Sequence, residues 1–162
     1  MKYILFILCL AGCTNATRSH LAEVIDTSQY AILKLDSNSE KYIFKETVQA
    51  STLSYQEIKK IEELISRATS DYNKSIIKEY KTEAKNLPYI IIHESIKYHK
   101  QFISVINVNG EKEVWVNCFS AGMRSDWKQR IVAVADGGSS FFQIKINLTK
   151  GTAYELTVNG VG

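Results

Sequence analysis

The chain has 162 residues, 45% of them hydrophobic and 23% charged, with a formal net charge of +3. That length suits one domain with a real core. The near balance of 20 basic and 17 acidic groups leaves no footprint for nucleic acid, which needs a basic stripe or patch. The first element in chain order is an export signal rather than a piece of the fold. Lys2 supplies a basic start, and Tyr3–Ala11 is an uncharged apolar run, about half of the roughly 20 residues that a membrane-spanning helix takes. A short run of this kind, ending on small residues, reads as a secretory signal.

The end of that run is more specific. Leu10-Ala11-Gly12-Cys13 resembles a bacterial lipobox, in which the cysteine thiol receives a diacylglyceryl group and the chain is cut just before it. Small residues at 11 and 12 let a peptidase approach, and a thiol readily forms the thioether. The resemblance implies lipid attachment at Cys13 and loss of residues 1–12, which leaves 150 residues. The alternative, an N-terminal strand holding Cys9 and Cys13, conflicts with the charge, length and small residues of the segment. Thr14 stands where inner-membrane retention signals carry aspartate, and residues 14–20 lack the acidic cluster of surface-displayed lipoproteins of some Bacteroidota. A lipid-anchored domain at the outer membrane, facing the periplasm, is what the resemblance implies.

With Cys9 discarded and Cys13 lipidated, Cys118 has no disulfide partner within the chain. It sits in the apolar run Val114–Phe119 without a basic neighbour, so packing is expected there rather than reactivity. Residues 13–28 form the lipidated N-terminus and a polar tether, and 29–162 form a single domain.

The domain opens with two β-rich runs, Tyr30–Leu35 and Lys41–Lys45, separated by the turn-prone Asp36-Ser37-Asn38-Ser39, a pattern that predicts a hairpin. Ser54-Tyr55-Gln56-Glu57 is a capping box, and Leu53 and Ile58 stand at its hydrophobic-staple positions. Ile58, Ile61, Ile65, Ala68, Tyr72, Ile76, Tyr80 and Ala84 then draw one apolar stripe along residues 55–85. The stripe predicts one amphipathic helix or a kinked pair weak around Thr69–Ser75, ended by Asn86-Leu87-Pro88. Gln101–Val108 and Glu111–Phe119 flank Asn109-Gly110, a pair that favours a type I′ hairpin turn. Arg130–Asp136 reads as a strand. Phe142, Ile144, Ile146 and Leu148 alternate with Gln143, Lys145 and Asn147, predicting a strand with one wet face. Tyr154, Leu156 and Val158 mark a last strand after a turn at Lys150-Gly151. The expected fold is α+β, one long helix packed on an antiparallel β-sheet meander.

A helix across such a meander is similar to cystatin-like and PepSY-like α+β domains. Asn109–Phe119, Val134–Gly138 and Phe142–Leu148 also resemble a group of small lipoproteins of Bacteroidota with no assigned activity. Members of that group often carry cysteines where this chain has Ser120 and Ser140, so the resemblance implies a disulfide that is absent here. Neither likeness supplies a function.

His93-Glu94 lacks the second histidine of an HExxH motif, because residue 97 is lysine. His93 and His99 have no third ligand nearby, so no metal is expected. Asp136-Gly137-Gly138-Ser139-Ser140 could cradle phosphate, but it leads into a strand rather than a helix and reads as a turn. Ser139 and Ser140 have no G-x-S-x-G setting. No catalytic residue and no cofactor is expected. Trp115, Asn117 and Phe119 share one strand face. They are either a ligand face, since aromatic residues favour interfaces, or the floor of a second layer built from the N-terminal hairpin or residues 121–129, with Trp127 as its lid. The expectation is an envelope-anchored, non-catalytic binding domain with the membrane and an envelope protein or peptide as partners. The competing expectation is a periplasmic enzyme, such as a hydrolase, built around His99, Asp136 and Asn117.

Overall fold

The computed structural model describes residues 28–36, 40–80, 87–122 and 125–160; the lipobox and Cys13 lie outside them. The fold is α+β: a helix packed against a mixed six-stranded sheet. Strands β3 (Tyr98–Ile106), β4 (Lys112–Ser120), β5 (Phe141–Asn147) and β6 (Thr152–Val158) form the expected antiparallel meander. Two short strands share the outer edge of β3. Strand β1 (Tyr30–Ile32) pairs parallel with Lys100–Phe102, and β2 (Gln49–Ala50) pairs antiparallel with Val105–Ile106.

Helix α1 (Tyr55–Glu79) starts where the capping box places it. The Ser54 amide donates to Glu57 Oε2 at 2.8 Å, and the Glu57 amide donates to Ser54 Oγ at 3.3 Å. Two N–H groups that the first turn would leave unpaired are thereby satisfied. Ile58, Ile61, Leu64 and Ile65 are buried against the sheet, each contributing about 1.5–3 kcal/mol by leaving water. The helix runs unbroken through Thr69–Ser75, so there is no kinked pair. It stops at Glu79, six residues short of the expected end, and Tyr80 caps it by donating to the Ile76 carbonyl. The short helix α2 (Leu87–Ile90) follows, with Pro88 in its first turn, where a missing N–H costs nothing. Asn73 docks this segment on α1: its Nδ2 donates to the Ile92 carbonyl and its Oδ1 accepts from the Ile92 amide.

Alternation along the strands divides the sheet into two faces. Toward α1 point Phe102, Val114, Val116, Cys118, Phe142, Ile144 and Ile146, all fully or almost fully buried. Ion pairs rim this layer, Lys112–Glu57 at 2.6 Å and Lys100–Glu62 at 3.1 Å. The other face carries Gln101, Ile103, Val105, Trp115, Asn117, Phe119 and Phe141, and it is buried as well.

Covering that second face is why several local expectations fail. The hairpin of residues 30–45 does not form. Tyr30–Ile32 joins β3 instead, and Glu40–Phe44 winds into a π-helical turn. This route lays Leu33, Leu35, Ile43, Phe44 and Val48 over Ile103, Val105 and Trp115; burying that apolar surface outweighs one local strand pair. Arg130–Asp136 is likewise no strand. It crosses above the sheet, and Val132 and Val134 pack with Phe119, Trp127 and Phe141. The expected wet face of β5 is largely closed, since Lys145 and Asn147 are buried and only Gln143 is half-buried. The β3–β4 hairpin forms, but its turn is not type I′. Of Asn109-Gly110 only Gly110 has positive φ, +76°. Its amide donates to the Asn107 carbonyl at 2.9 Å and the Asn107 amide donates to Glu111, which makes a three-residue loop ending on a left-handed glycine.

Candidate binding cleft

Apart from a bridge between Asp136 and Gly160, residues 127–136 of the second layer lie in no strand, so their polar groups need other partners. Side-chain amides rising from the sheet supply them. Gln101, 0% exposed, donates through Nε2 to the carbonyls of Trp127 and Arg130. Its Oε1 accepts from the Val132 amide at 3.0 Å and from Asn117 Nδ2 at 2.9 Å. Asn117 Nδ2 donates also to the Val132 carbonyl, and Asn159 Nδ2 to the Val134 and Asp136 carbonyls. Three amide side chains thus hold residues 127–136 as a neighbouring strand would. Asn117 Oδ1 is buried without a hydrogen-bond partner.

Of the residues singled out in the sequence, Trp115, Asn117, Phe119 and Trp127 are all buried. They lie beneath or within a second layer, and Trp115 alone of the four lines an opening in it. Trp127 is the lid: it packs edge-on against Phe119 and stacks flat on His99, with ring centroids 4.5 Å apart. His99, Asn117 and Asp136 each have different partners, respectively the Trp127 ring, Gln101 with Val132, and a backbone bridge to Gly160.

Between the two covering segments the layer is incomplete. A cleft of about 760 Å³ opens there, with Trp115 and Gln143 on its floor. Ile32, Leu33, Lys34, Asp36, Tyr42 and Ile43 form one wall, and Lys128, Gln129, Arg130 and Ile131 form the other. Tyr42 is 75% exposed and Ile32 49%, so apolar surface stands open at the rim. The Arg130 guanidinium is largely exposed, with Asp126 3.9 Å away. A second hollow of about 480 Å³ shares Tyr42, Ile43, Trp115 and Gln143 and continues past Lys45, Lys145, Glu155 and Thr157. Lys145 is paired with Glu155 at 2.9 Å and lies 5.8 Å from the Phe44 ring centre; its hydrogen bond holds the Glu155 carboxyl below the usual range.

The sequence did not mark Gln101, Gln143, Lys34 or Arg130. The readable signal was an amide, Gln101, set among apolar residues of the same strand face; what it holds lies 26 to 31 residues away, beyond any local pattern.

Other chemistry-bearing groups have structural settings. Burial pushes the Cys118 thiol up, out of thiolate range. Burial, with a smaller contribution from nearby Cys118, also pushes the Tyr98 phenol up to about 12, and its hydroxyl donates to the Ser139 carbonyl at 2.7 Å. Gly138-Ser139-Ser140 is one 3-10 turn rather than a loose turn. Gly138, at φ +51°, passes so close to Tyr89 that a Cβ would lie 2.3 Å from its carbonyl oxygen. Gly138 therefore serves close packing, and Gly137, at φ +120°, serves the turn. His93 Nε2 lies 3.0 Å from the Pro88 carbonyl. Among the described residues no cluster of three metal-ligating side chains occurs, and no helix is long and apolar enough to cross a membrane.

No protein-family model, curated protein or solved structure matches the chain.

Proposed function

We propose that this chain is an envelope lipoprotein, lipidated at Cys13 and held at the outer membrane facing the periplasm, whose domain binds a ligand without transforming it. The observation that carries the binding reading is the cleft over Trp115 and Gln143. Its described lining holds aliphatic and aromatic side chains, cations, amides and one carboxylate, Asp36, without the serine, cysteine or histidine of a paired nucleophile and base. Exposed Tyr42 and Ile32 at its rim are the kind of apolar surface that marks binding sites. The lipobox resemblance of Leu10–Cys13 and the short apolar run before it support the anchor.

Two measurements test the reading. Intact mass should show loss of residues 1–12 and a diacylglyceryl group on Cys13; the Cys13→Ala chain should lack both, and a normally processed Cys13→Ala chain would overturn the anchor. Hydroxyl-radical footprinting of the full chain with an envelope extract should protect Tyr42 and Ile131. Unchanged labelling at both residues would remove the binding assignment.

A further inference from the structure

Taking the cleft as the binding site, we propose that its ligand is an anionic amphiphile, a carboxylate or phosphate head on an aliphatic chain. The inference rests on how the lining is divided. Ile32, Leu33, Ile43 and Ile131 give branched aliphatic walls. Trp115 below them is 4% exposed, so it offers a fitted floor rather than an open ring face, and the exposed Tyr42 ring stands at the rim. A flexible hydrocarbon chain is the partner this surface accepts, because dispersion and burial make no directional demand.

Charge supplies the other half. Lys34, Lys128 and Arg130 stand on the lining with Asp36, while Asp126 lies 3.9 Å from Arg130 and Lys128 lies over the Trp127 ring. Three cations against two acids leave a net positive charge that favours a single anionic head, and an arginine fork can grip a carboxylate or phosphate through two parallel bonds. The exposed position of Arg130 leaves this attraction open to salt screening. Gln143 on the floor adds an uncharged donor and acceptor. Beyond it the adjoining hollow gathers Lys145 and Lys45 around Glu155, whereas Lys128 and Arg130 stand together on the far wall, so the charged head belongs at the Arg130 end and the chain runs toward Tyr42 and Ile43. Head and tail of this kind occur both in a free fatty acid and in a membrane phospholipid.

The test uses the full lipidated chain in nanodiscs of neutral phosphatidylcholine. Diazirine-bearing dodecanoate and dodecyl phosphate are photolysed with it, and the adducts are located by peptide mass spectrometry. Adducts should fall on residues 32–43 and 128–131. Unlabelled dodecanoate should compete, while dodecanol, acetate and inorganic phosphate should not. The double variant Lys34→Ala, Arg130→Ala should lose about tenfold in labelling at an unchanged unfolding midpoint, roughly what 1.4 kcal/mol of binding energy represents, and Arg130→Lys should lose less. Phosphatidylglycerol vesicles that abolish labelling identify a membrane headgroup as the source; vesicles without effect identify a free amphiphile. Equal competition by dodecanol, or by inorganic phosphate, would overturn the proposal. Absence of cleft adducts together with footprint protection by the extract would reject the amphiphile and keep the binding role. Absence of both would reject the two together.

Discussion

Gln101 shows how much one side chain can organise. It is fully buried, and both ends of its amide are used, two carbonyls on one side and two N–H groups on the other. A buried polar group is tolerable when so satisfied, and removing it strands its partners at about 1–3 kcal/mol for each one left unpaired. Gln101→Leu keeps the volume and removes every bond. It is expected to lower stability by about 3 kcal/mol or more, read as a reduced urea midpoint with little change in slope. Gln129→Leu, on the exposed side of the same segment, should stay within about 0.5 kcal/mol. Equal effects at the two positions would show that the amide network does not hold the layer.

At the scale of elements, the sequence was most legible where a signal is local. Ser54 and Glu57 sit three residues apart and announce the start of α1 correctly; the meander of β3 to β6 follows from alternation and turn residues. Two misses have one origin. Lys41–Lys45 and Arg130–Asp136 have strand-like patterns because they cover an apolar face, and periodicity alone cannot tell a segment in a sheet from one lying across it; Tyr30–Leu35 does enter the sheet through Tyr30–Ile32, but beside β3 rather than in a hairpin. The candidate cleft was less legible still, since Lys34, Arg130 and Gln143 come from three separate segments and meet only through the layer. The Gly137-Gly138 pair is a milder case: its backbone freedom was visible, but the approach of α2 to Gly138 was not. Gly138→Ala is expected to cost about 2 kcal/mol or more, because both the positive φ and the Tyr89 backbone oppose a Cβ. Gly160→Ala, with open space around it, serves as the comparison. A Gly138→Ala chain with the parental melting temperature would remove close packing as the reason for this glycine.

The whole molecule carries a linkage to pH. Among the described residues three carboxyls are held below their usual range. Burial pushes Glu57 up, but hydrogen bonds from Lys112 and Ser54 together outweigh it. Glu111 is lowered first by Lys150 and then by Asn147, and Glu155 by Lys145. A carboxyl lowered on folding stabilises the native state above its unfolded value, about 4.3 for glutamate, and that contribution is lost as pH falls through the folded value. The urea midpoint should therefore be flat from pH 7 to about 5 and fall below it. Glu57→Gln and Glu111→Gln should each flatten the acid limb. A midpoint unchanged down to pH 3 would show that these pairs contribute nothing to folding.

The two borders of the sheet bear on how copies of this chain behave when crowded together. On one side β3 is fenced by strands of three and two residues. On the other, β6 is irregular opposite Gln143–Lys145, where Glu155 takes φ +48°. Short edge strands and bulges are means by which natural sheets avoid joining their neighbours. Neither border offers a long straight row of free N–H and C=O groups, so high local concentration should not by itself drive these domains to stack into fibres.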